Sequence, residues 1–487
     1  MTDDLPLRLR EALGKAEFTY DAVAGLLGHR AHDALGRNET TPALRRTRDG
    51  SPLAALTRLF LLQSPVPVEQ AERALAGLLD ELETAGFVRQ SGGEVRALLD
   101  VRPYAASDGR GERNLWVVSD LTPGLDGAPV RVAAYHVLGV SPAATSLAQL
   151  TVREHVGRAL DLGTGCGVQA LHLAAHANAV VATDINARAV WAARFNAALN
   201  DAPNIETRVG WYFSPVQDET FDLITTNPPF VISPAAGDRL VYRDSGMPGD
   251  EVVEWIVSHG PAHLTDGGWL QVLANWAIHA DVPWDERLAE WVPDDCAALV
   301  VQREVLDPAA YVELWLKDEG LRGGPEYLDK YDAWLGWFED QGVEGIGFGW
   351  VNVHQADHPS TYLDWPYAVE QPIAPAIRDW ASAAAHPVGE QARLTLRVDV
   401  VQETTGEPGA EDPETIMLRQ QRGLRRARRV DTIEAGLAGA CDGELTVGQI
   451  LDALAVLTAR DPAQLRAAYL PLVRELVVDG FLVQSGT

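Results

Sequence analysis

The chain has 487 residues, nearly half of them apolar, with charged residues at ordinary frequency but a formal net charge of −29 at pH 7. That length holds about three domains, and the composition is globular rather than disordered or fibrous. The negative excess repels phosphate backbones, so broad electrostatic capture of nucleic acid is disfavoured unless a local basic patch overrules it.

The N-terminus carries Asp3, Asp4, Arg8, Arg10 and Glu11 in place of an apolar signal core. No run of roughly 18 apolar residues predicts a membrane span anywhere. Periodicity predicts helices over Leu53 to Leu62 and Glu69 to Ala85, with Pro65 and Pro67 between them. Gly86 to Leu98 then predicts a two-stranded wing. These elements define a winged-helix-like N-terminal domain, residues 1–105, which either holds a protein or nucleic-acid substrate or is a packing module without a ligand. A β-hairpin linker is expected next: Leu115 to Ser119, a turn through Pro123, Gly124 and Gly127, then Val130 to Tyr135.

From 152 onward strands alternate with helices: Ala159–Asp161, Ala179–Thr183, Ile205–Val209, Leu223–Thr226 and Trp269–Leu273. Such alternation argues a doubly wound parallel α/β sheet with its ligand crevice at the strands' carboxyl ends. Two stretches fall at those ends. Asp161-Leu-Gly163-Thr164-Gly165-Cys166-Gly167 is a glycine-rich turn into a helical pattern, where tight turning, close backbone approach and free N–H groups coincide. Asp184 closes the next strand, about 20 residues on, where a carboxylate can hold ribose hydroxyls. By itself this pattern also admits a dinucleotide, although the turn departs from the G-x-G-x-x-G spacing.

The second stretch is Asn227-Pro228-Pro229-Phe230. Neither proline donates a backbone N–H and both have a fixed φ, so the loop is stiff. The Asn227 side-chain oxygen and the Pro228 carbonyl can accept the two N–H bonds of a planar nitrogen and draw its lone pair out of conjugation. Phe230 can stack on the planar group, and positioning with oriented dipoles can supply much of a barrier reduction.

Beyond the fifth strand, Ala298 to Glu304 is a candidate sixth strand. Helices predicted at Pro308–Lys317 and Glu326–Phe338 then precede a strand over Gly345 to Val353. Eleven of the fourteen tryptophans lie between Trp255 and Trp380, which makes this insertion (about 305–390) either a stacking lid or an aromatic packing core. Leu394 to Val401 is expected to add a strand to the sheet edge, closing a central domain over 106–403. Glu403 to Glu414 is acidic and rich in Gly and Pro, a loop or linker. Arg419, Arg422, Arg425, Arg426, Arg428 and Arg429 follow it. They are either a clamp for RNA phosphates or an acidic partner, or a solvated helix face paired to nearby carboxylates. Arg45, Arg46 and Arg48 form a weaker cluster.

The last domain, 404–487, repeats the first. Leu472 to Gly486 aligns with Leu78 to Gly92 at the apolar helix positions and at the turn, which predicts a second winged-helix-like module. Cys166, Cys296 and Cys441 form no disulfide framework and no metal spacing, which suits a reducing cytoplasm. Cys166 reads as a small filler of its turn rather than a nucleophile. His172 and His176 share a helix face, but no third ligand accompanies them, so they read as structural and no metal is expected.

Taken together, Asp161-Leu-Gly-Thr-Gly-Cys-Gly167 and Asn227-Pro-Pro-Phe230 resemble a class I S-adenosylmethionine-dependent methyltransferase of the amino-methylating group. Within it the chain is similar to the HemK-type glutamine methyltransferases that modify translation release factors. Val137 to Pro142 resembles the family's segment before the first strand, and Trp211-Tyr212 its Trp-Phe pair beside the cofactor adenine. Ser245 to Val252 and Thr265 to Gly268 resemble two further family segments. The likeness spans roughly Asn114 to Ala274. It departs at Gly210, where the family usually has an acid, and at Phe230, where the glutamine enzymes have tyrosine.

The resemblance implies a Rossmann-like sheet of seven strands and S-adenosyl-L-methionine as cofactor. The implied cofactor residues are Asp161, Gly163, Thr164, Gly165, Cys166, Gly167, Asp184, Trp211 and Asn227, and the implied catalytic loop is Asn227, Pro228, Pro229 and Phe230. The expected substrate is a glutamine side chain of a translation-related protein. The alternatives are an exocyclic amine of adenine or guanine in RNA, less so DNA, and a non-catalytic binding protein on the same fold. A cytoplasmic location is expected.

Overall fold

The computed structural model describes residues 4–107, 111–127, 132–234, 241–407 and 413–484. These form two compact units. The first comprises residues 1–148, 153–293 and 304–353, and the second 149–152, 294–303 and 354–487. No helix among the described residues is long and apolar enough to cross a membrane.

The first unit opens with short helices, Leu5–Lys15, Tyr20–Leu27, His29–Leu35, Thr41–Arg46 and Pro52–Leu56, around one core containing Leu5, Leu9, Leu13, Phe18 and Phe60. The helix expected over Leu53 to Leu62 is α-helical only to Leu56 and widens into a π turn over Thr57–Leu61. The helix expected over Glu69 to Ala85 is two, Val68–Ala74 and Leu79–Thr84. Ala76 and Gly77 between them have φ of 53° and 85°, a left-handed pair that no helix continues through.

Val88–Ser91 and Glu94–Ala97 form the expected two-stranded hairpin, and Val66–Pro67 adds a third strand. Its two-residue turn is Gly92-Gly93, with φ of 60° and 80°, the conformation that matches strand twist and favours glycine. The next hairpin differs from expectation. Glu112–Asp120 pairs backwards with Leu99–Ser107 and not forwards. Val130 lies outside the described residues, and 132–135 form no strand. Buried Leu99 and Val101 supply one face of the upstream partner, packed in the helical core, and Ala106 lies on the other face.

The central sheet uses strands β1 (Val156–Leu162), β2 (Ala177–Asp184), β3 (Ile205–Val209), β4 (Phe221–Thr226), β5 (Leu264–His279) and β6 (Val343–His354). Their order is β6-β5-β4-β1-β2-β3, with the β1–β2, β2–β3, β1–β4 and β4–β5 pairs parallel. Helices α1 (Val168–Leu173), α2 (Ala187–Leu199) and α3 (Glu251–His259) lie on the connections. Because both faces of such a sheet are covered, the central strands carry apolar cores, with Leu160, Ala182, Leu223, Ile224 and Leu270 fully buried.

The chain runs outward from β1 to β3 and returns on β1's other side at β4, which makes the β1–β4 boundary a topological switch point. Six strands of this sheet lie in this unit. In the second unit, Leu299–Gln302 of the strand Ala297–Leu306 pair in parallel with Thr361–Asp364.

Helices Pro308–Asp318 and Tyr327–Asp340 form where the sequence placed them. Tyr311, Val312, Leu316, Trp334 and Phe338 are buried in a common core with Val231 and Ile232.

In the second unit the strand expected over Leu394 to Val401 is not a sheet-edge addition. Arg393–Leu396 pairs antiparallel with Asp442–Thr446 and Leu482–Gln484 in a small sheet of its own. Val400–Thr405 forms a separate ribbon with Thr415–Gln420 and Ala427–Val430. Glu403 to Thr405 are therefore strand rather than linker; β-branched Val400, Val401, Thr404 and Thr405 outweigh the acidic composition. Residues 408–412 of the expected linker lie outside the described residues.

The arginine cluster sits on this ribbon and not on a helix face. Arg419 pairs with Glu403 at 2.9 Å, Arg426 with Asp479 at 3.2 Å and Arg428 with Glu475 at 2.9 Å, while Arg422, Arg425 and Arg429 are exposed.

Helices Thr432–Ala440, Val447–Leu457 and Pro462–Val478 complete the unit. The internal repeat has a shared local structure up to Gln484. In each copy a helix ends at a left-handed glycine, Gly86 (φ 80°) or Gly480 (φ 77°). In each copy the next phenylalanine N–H reaches back to a helical carbonyl at 2.8 Å, Phe87 to Leu82 and Phe481 to Leu476. Both phenylalanines are fully buried, so the turn closes the helix and anchors the following strand at once.

A Cβ at Gly86 would meet nothing within 4 Å, so Gly86→Ala costs backbone strain alone. We expect it to destabilise the protein by about 1–2 kcal/mol, read as a lower midpoint in urea unfolding; an unchanged midpoint would show that the turn carries no stability.

Candidate active site

The site is built where three loops leave neighbouring strands side by side. Leu162 pairs with Thr183 of β2 and with Thr226 of β4, so the segments that follow leave from adjacent register positions. The Thr226 hydroxyl donates to the Leu162 carbonyl at 2.8 Å and fixes this alignment. The glycine turn and the Asn-Pro-Pro-Phe loop therefore start about one strand spacing apart, ~4.8 Å.

The glycine turn is held from below by two carboxylates. Buried Asp161 accepts from the Thr164 hydroxyl and, at 2.9 Å, from the Ala170 N–H in α1. Burial pushes its carboxyl up to about 7, against the pull of those two donors. Asp184 accepts from Gly165 N–H at 2.9 Å through one oxygen and from Asn186 N–H at 2.8 Å through the other. Burial raises its pKa too. Gly163, Gly165 and Gly167 have φ of 74°, 55° and 85°.

At Gly167 a Cβ would press on Ala193 at 3.0 Å, so glycine there lets α2 pack against the turn. At Gly163 and Gly165 nothing lies within 4 Å, which leaves open space in front of the backbone. Cys166 is buried and its thiol is pushed up to about 12 by burial. Its carbonyl accepts from Asn196 of α2 at 2.8 Å.

These residues line a cleft with a volume of about 300 Å³. Asp161, Gly163, Thr164, Gly165, Cys166, Asp184, Trp211, Asn227, Pro228 and Pro229 all face it. Gly167 and Phe230 are not among its lining residues; Phe230 bridges antiparallel to Asp244 instead. Trp211 is half exposed, tilted against Tyr212 and Trp255 with ring centroids at 4.7 and 5.8 Å.

The sequence departure at Gly210 has a steric cause. A Cβ there would fall 2.3 Å from Pro215 Cγ, so any side chain is excluded. The backbone N–H of Gly210 donates to the Asp184 carbonyl at 3.0 Å.

Asn227 is the site's unpaired acceptor. Its Oδ1 is buried and has no hydrogen-bond partner, a costly arrangement unless a ligand donor completes it. Thr183 Oγ1, on another residue lining the cleft, is likewise unpartnered.

Sequence reasoning missed His136, Gln169, Asn186, Tyr242 and Asp244, which also line the cleft. Asn186 was detectable as the N-cap of α2, where its side chain accepts from Arg188 N–H. Tyr242 and Asp244 had no local signal, because chain folding alone returns them to Phe230.

The remaining candidates lie apart. His172 Nε2 meets the Tyr104 hydroxyl at 2.9 Å and His176 Nδ1 the Glu154 carbonyl at 3.1 Å, so both are structural. No group of three metal-ligating side chains is found among the described residues.

S-adenosylmethionine fits these residues on two observations: open space before Gly163 and Gly165, and a fixed carboxylate at Asp184. Comparison with known proteins agrees. A family described as "Methyltransferase small domain" matches residues 138–289. Two families described as domains of unknown function match 15–98 and 376–484.

A release factor glutamine methyltransferase of Xylella fastidiosa is 33% identical over 131 residues, 24% of this chain and 47% of that protein. A ribosomal protein uL3 glutamine methyltransferase of Bradyrhizobium diazoefficiens is 38% identical over 153 residues, 28% of this chain and 47% of that protein. A ribosomal RNA small subunit methyltransferase C of Alcanivorax borkumensis is 28% identical over 150 residues, 30% of this chain and 39% of that protein. The chain spans under half the length of these relatives. Residues 138–289 thus match the family described as methyltransferase small domain, and over about 130 residues the chain is similar in sequence to release factor glutamine methyltransferases.

Proposed function

We propose that the chain is an S-adenosylmethionine-dependent N-methyltransferase whose acceptor is a glutamine side-chain amide in a translation-related protein. The observation that carries this reading is Asn227 Oδ1, buried, unpaired and lining the same cleft as the glycine turn. Bound there, S-adenosylmethionine supplies a methyl group activated by a sulfonium. The chain's own part is to hold and orient the nitrogen. Asn227 Oδ1 accepts one N–H of the acceptor amide and the Pro228 carbonyl the other, which localises the lone pair that amide conjugation otherwise spreads. Preorganised dipoles of this kind act without reorganisation at the moment of reaction.

Asp161 and Asp184 fix the turn and Trp211 flanks the adenine. A protein acceptor is favoured over nucleic acid because the described lining residues include three aspartates and no lysine or arginine, leaving no cation there for a phosphate. The names of the glutamine methyltransferase relatives support the same choice. The helical modules at the two ends are read as winged-helix-like flanks, and the protein as cytoplasmic.

Incubating cell extract with S-adenosylmethionine carrying a labelled methyl tests the assignment. We expect label on a glutamine side chain of a protein. Label in RNA would overturn the acceptor, and absence of both transfer and cofactor binding would overturn the enzyme. Asn227→Ala should lower transfer about 10²–10³-fold while S-adenosylhomocysteine still binds in calorimetry. Asp184→Ala removes the acceptor that holds Gly165 N–H in the turn and Asn186 N–H after β2, and should weaken S-adenosylhomocysteine binding about 10–100-fold.

A further inference from the structure

The Asn-Pro-Pro-Phe loop lacks the usual means of holding its own shape. Pro228 and Pro229 have no N–H to give to a ladder, so the loop must be fixed by what flanks it. Upstream, the Thr226 hydroxyl ties β4 to β1. Downstream, the anchors come from the helix pair Pro308–Asp318 and Tyr327–Asp340.

Ile232, two residues past Phe230, is fully buried, and both its backbone groups are taken by side chains of that pair. Its N–H donates to the Tyr311 hydroxyl at 2.9 Å, and its carbonyl accepts from Trp334 Nε1 at 3.0 Å. Asn275 of β5 donates to the same Tyr311 oxygen at 3.2 Å, which orients the hydroxyl.

The returning strand of the loop is tied to the same helices. Val231 N–H donates to the Arg243 carbonyl at 3.1 Å, and Phe230 bridges to Asp244. The buried Arg243 guanidinium pairs with Glu319, just beyond the first helix, and lies 3.5 Å from Asp318, the helix's last residue. Arg243's neighbours Tyr242 and Asp244 face the cleft.

We propose that the tryptophan-rich helical insertion is the positioning element of the methyl-acceptor loop, with Tyr311 and Trp334 as its positioning residues. They touch neither cofactor nor acceptor. They set the angle at which Asn227 and Pro228 are presented, by gripping the backbone immediately after the loop. Catalysis by positioning is unforgiving, since a displacement of about 1 Å can cost on the order of 10²-fold in rate. The proposal rests on the methyl-transfer reading of the site.

The test uses the full chain with Tyr311→Phe, which deletes only the hydroxyl, and Trp334→Phe, which removes the indole N–H with its five-membered ring and keeps one aromatic ring in place. Val343→Ala, a truncation in the same core, is the control for general loosening. Hydrogen exchange measured by mass spectrometry on the peptide covering 227–234 needs no acceptor. It should speed up at least tenfold in both ring variants and not in the control.

With the labelled-methyl extract assay, kcat should fall about 10–100-fold at an unchanged KM for S-adenosylmethionine and unchanged S-adenosylhomocysteine binding. Unchanged exchange in both ring variants would sink the proposal, as would a rate loss matched by the control. If the unsubstituted chain transfers no methyl, the functional reading fails on its own, and the exchange result still decides whether the insertion holds the loop.

Discussion

Three strands end level with one another, and the site follows from that registration. Leu162, Thr183 and Thr226 are paired across β1, β2 and β4, and the Thr226 hydroxyl closes onto the Leu162 carbonyl. A one-residue slip would send every side chain to the opposite face and move the glycine turn away from Asn227. Close packing of the buried side chains on both faces makes such a slip costly, so the register is secured by packing over the length of the strands. The geometry of the cleft is thus set far from it, in the packing of Leu160, Ala182 and Ile224.

Upon that frame the two loops are stiffened by different means. The glycine turn is held through its N–H groups by Asp161 and Asp184, carboxylates that lose hydration on burial and recover part of it as backbone hydrogen bonds. The proline loop offers no such donors and is held from outside, through Ile232 and the return strand at Arg243. Polar atoms within the cleft are consequently left for a ligand, and Asn227 Oδ1 is the clearest of them.

The central fold was legible because its signals are local. The central parallel strands are apolar runs stopped by a turn, and Asp161 to Gly167 and Asn227 to Phe230 carry their chemistry within a few residues. Where reading failed, the deciding term was nonlocal or hidden by composition. Glu112–Asp120 chose the upstream partner because of faces buried against the rest of the unit. Glu403 to Thr405 became strand because β-branched neighbours and a cross-strand partner outweighed acidic loop-like content. Gly210 read as a departure from the family, yet only coordinates reveal that Pro215 occupies the space of a side chain. Tyr242 and Asp244 join the cleft through a chain reversal that no motif announces. The tryptophans of the insertion packed largely as core, and Trp334 spends its one donor on the Ile232 carbonyl.

If the cleft binds a sulfonium reagent as proposed, Cys166 occupies an awkward address for a thiol, in the turn that would face it. A thiolate there would be a competing nucleophile, and the enzyme would alkylate itself. Burial keeps the sulfur protonated well beyond neutral pH, and a thiol in that state is a poor attacker. The same packing that fills the turn therefore spares the catalyst from its own chemistry.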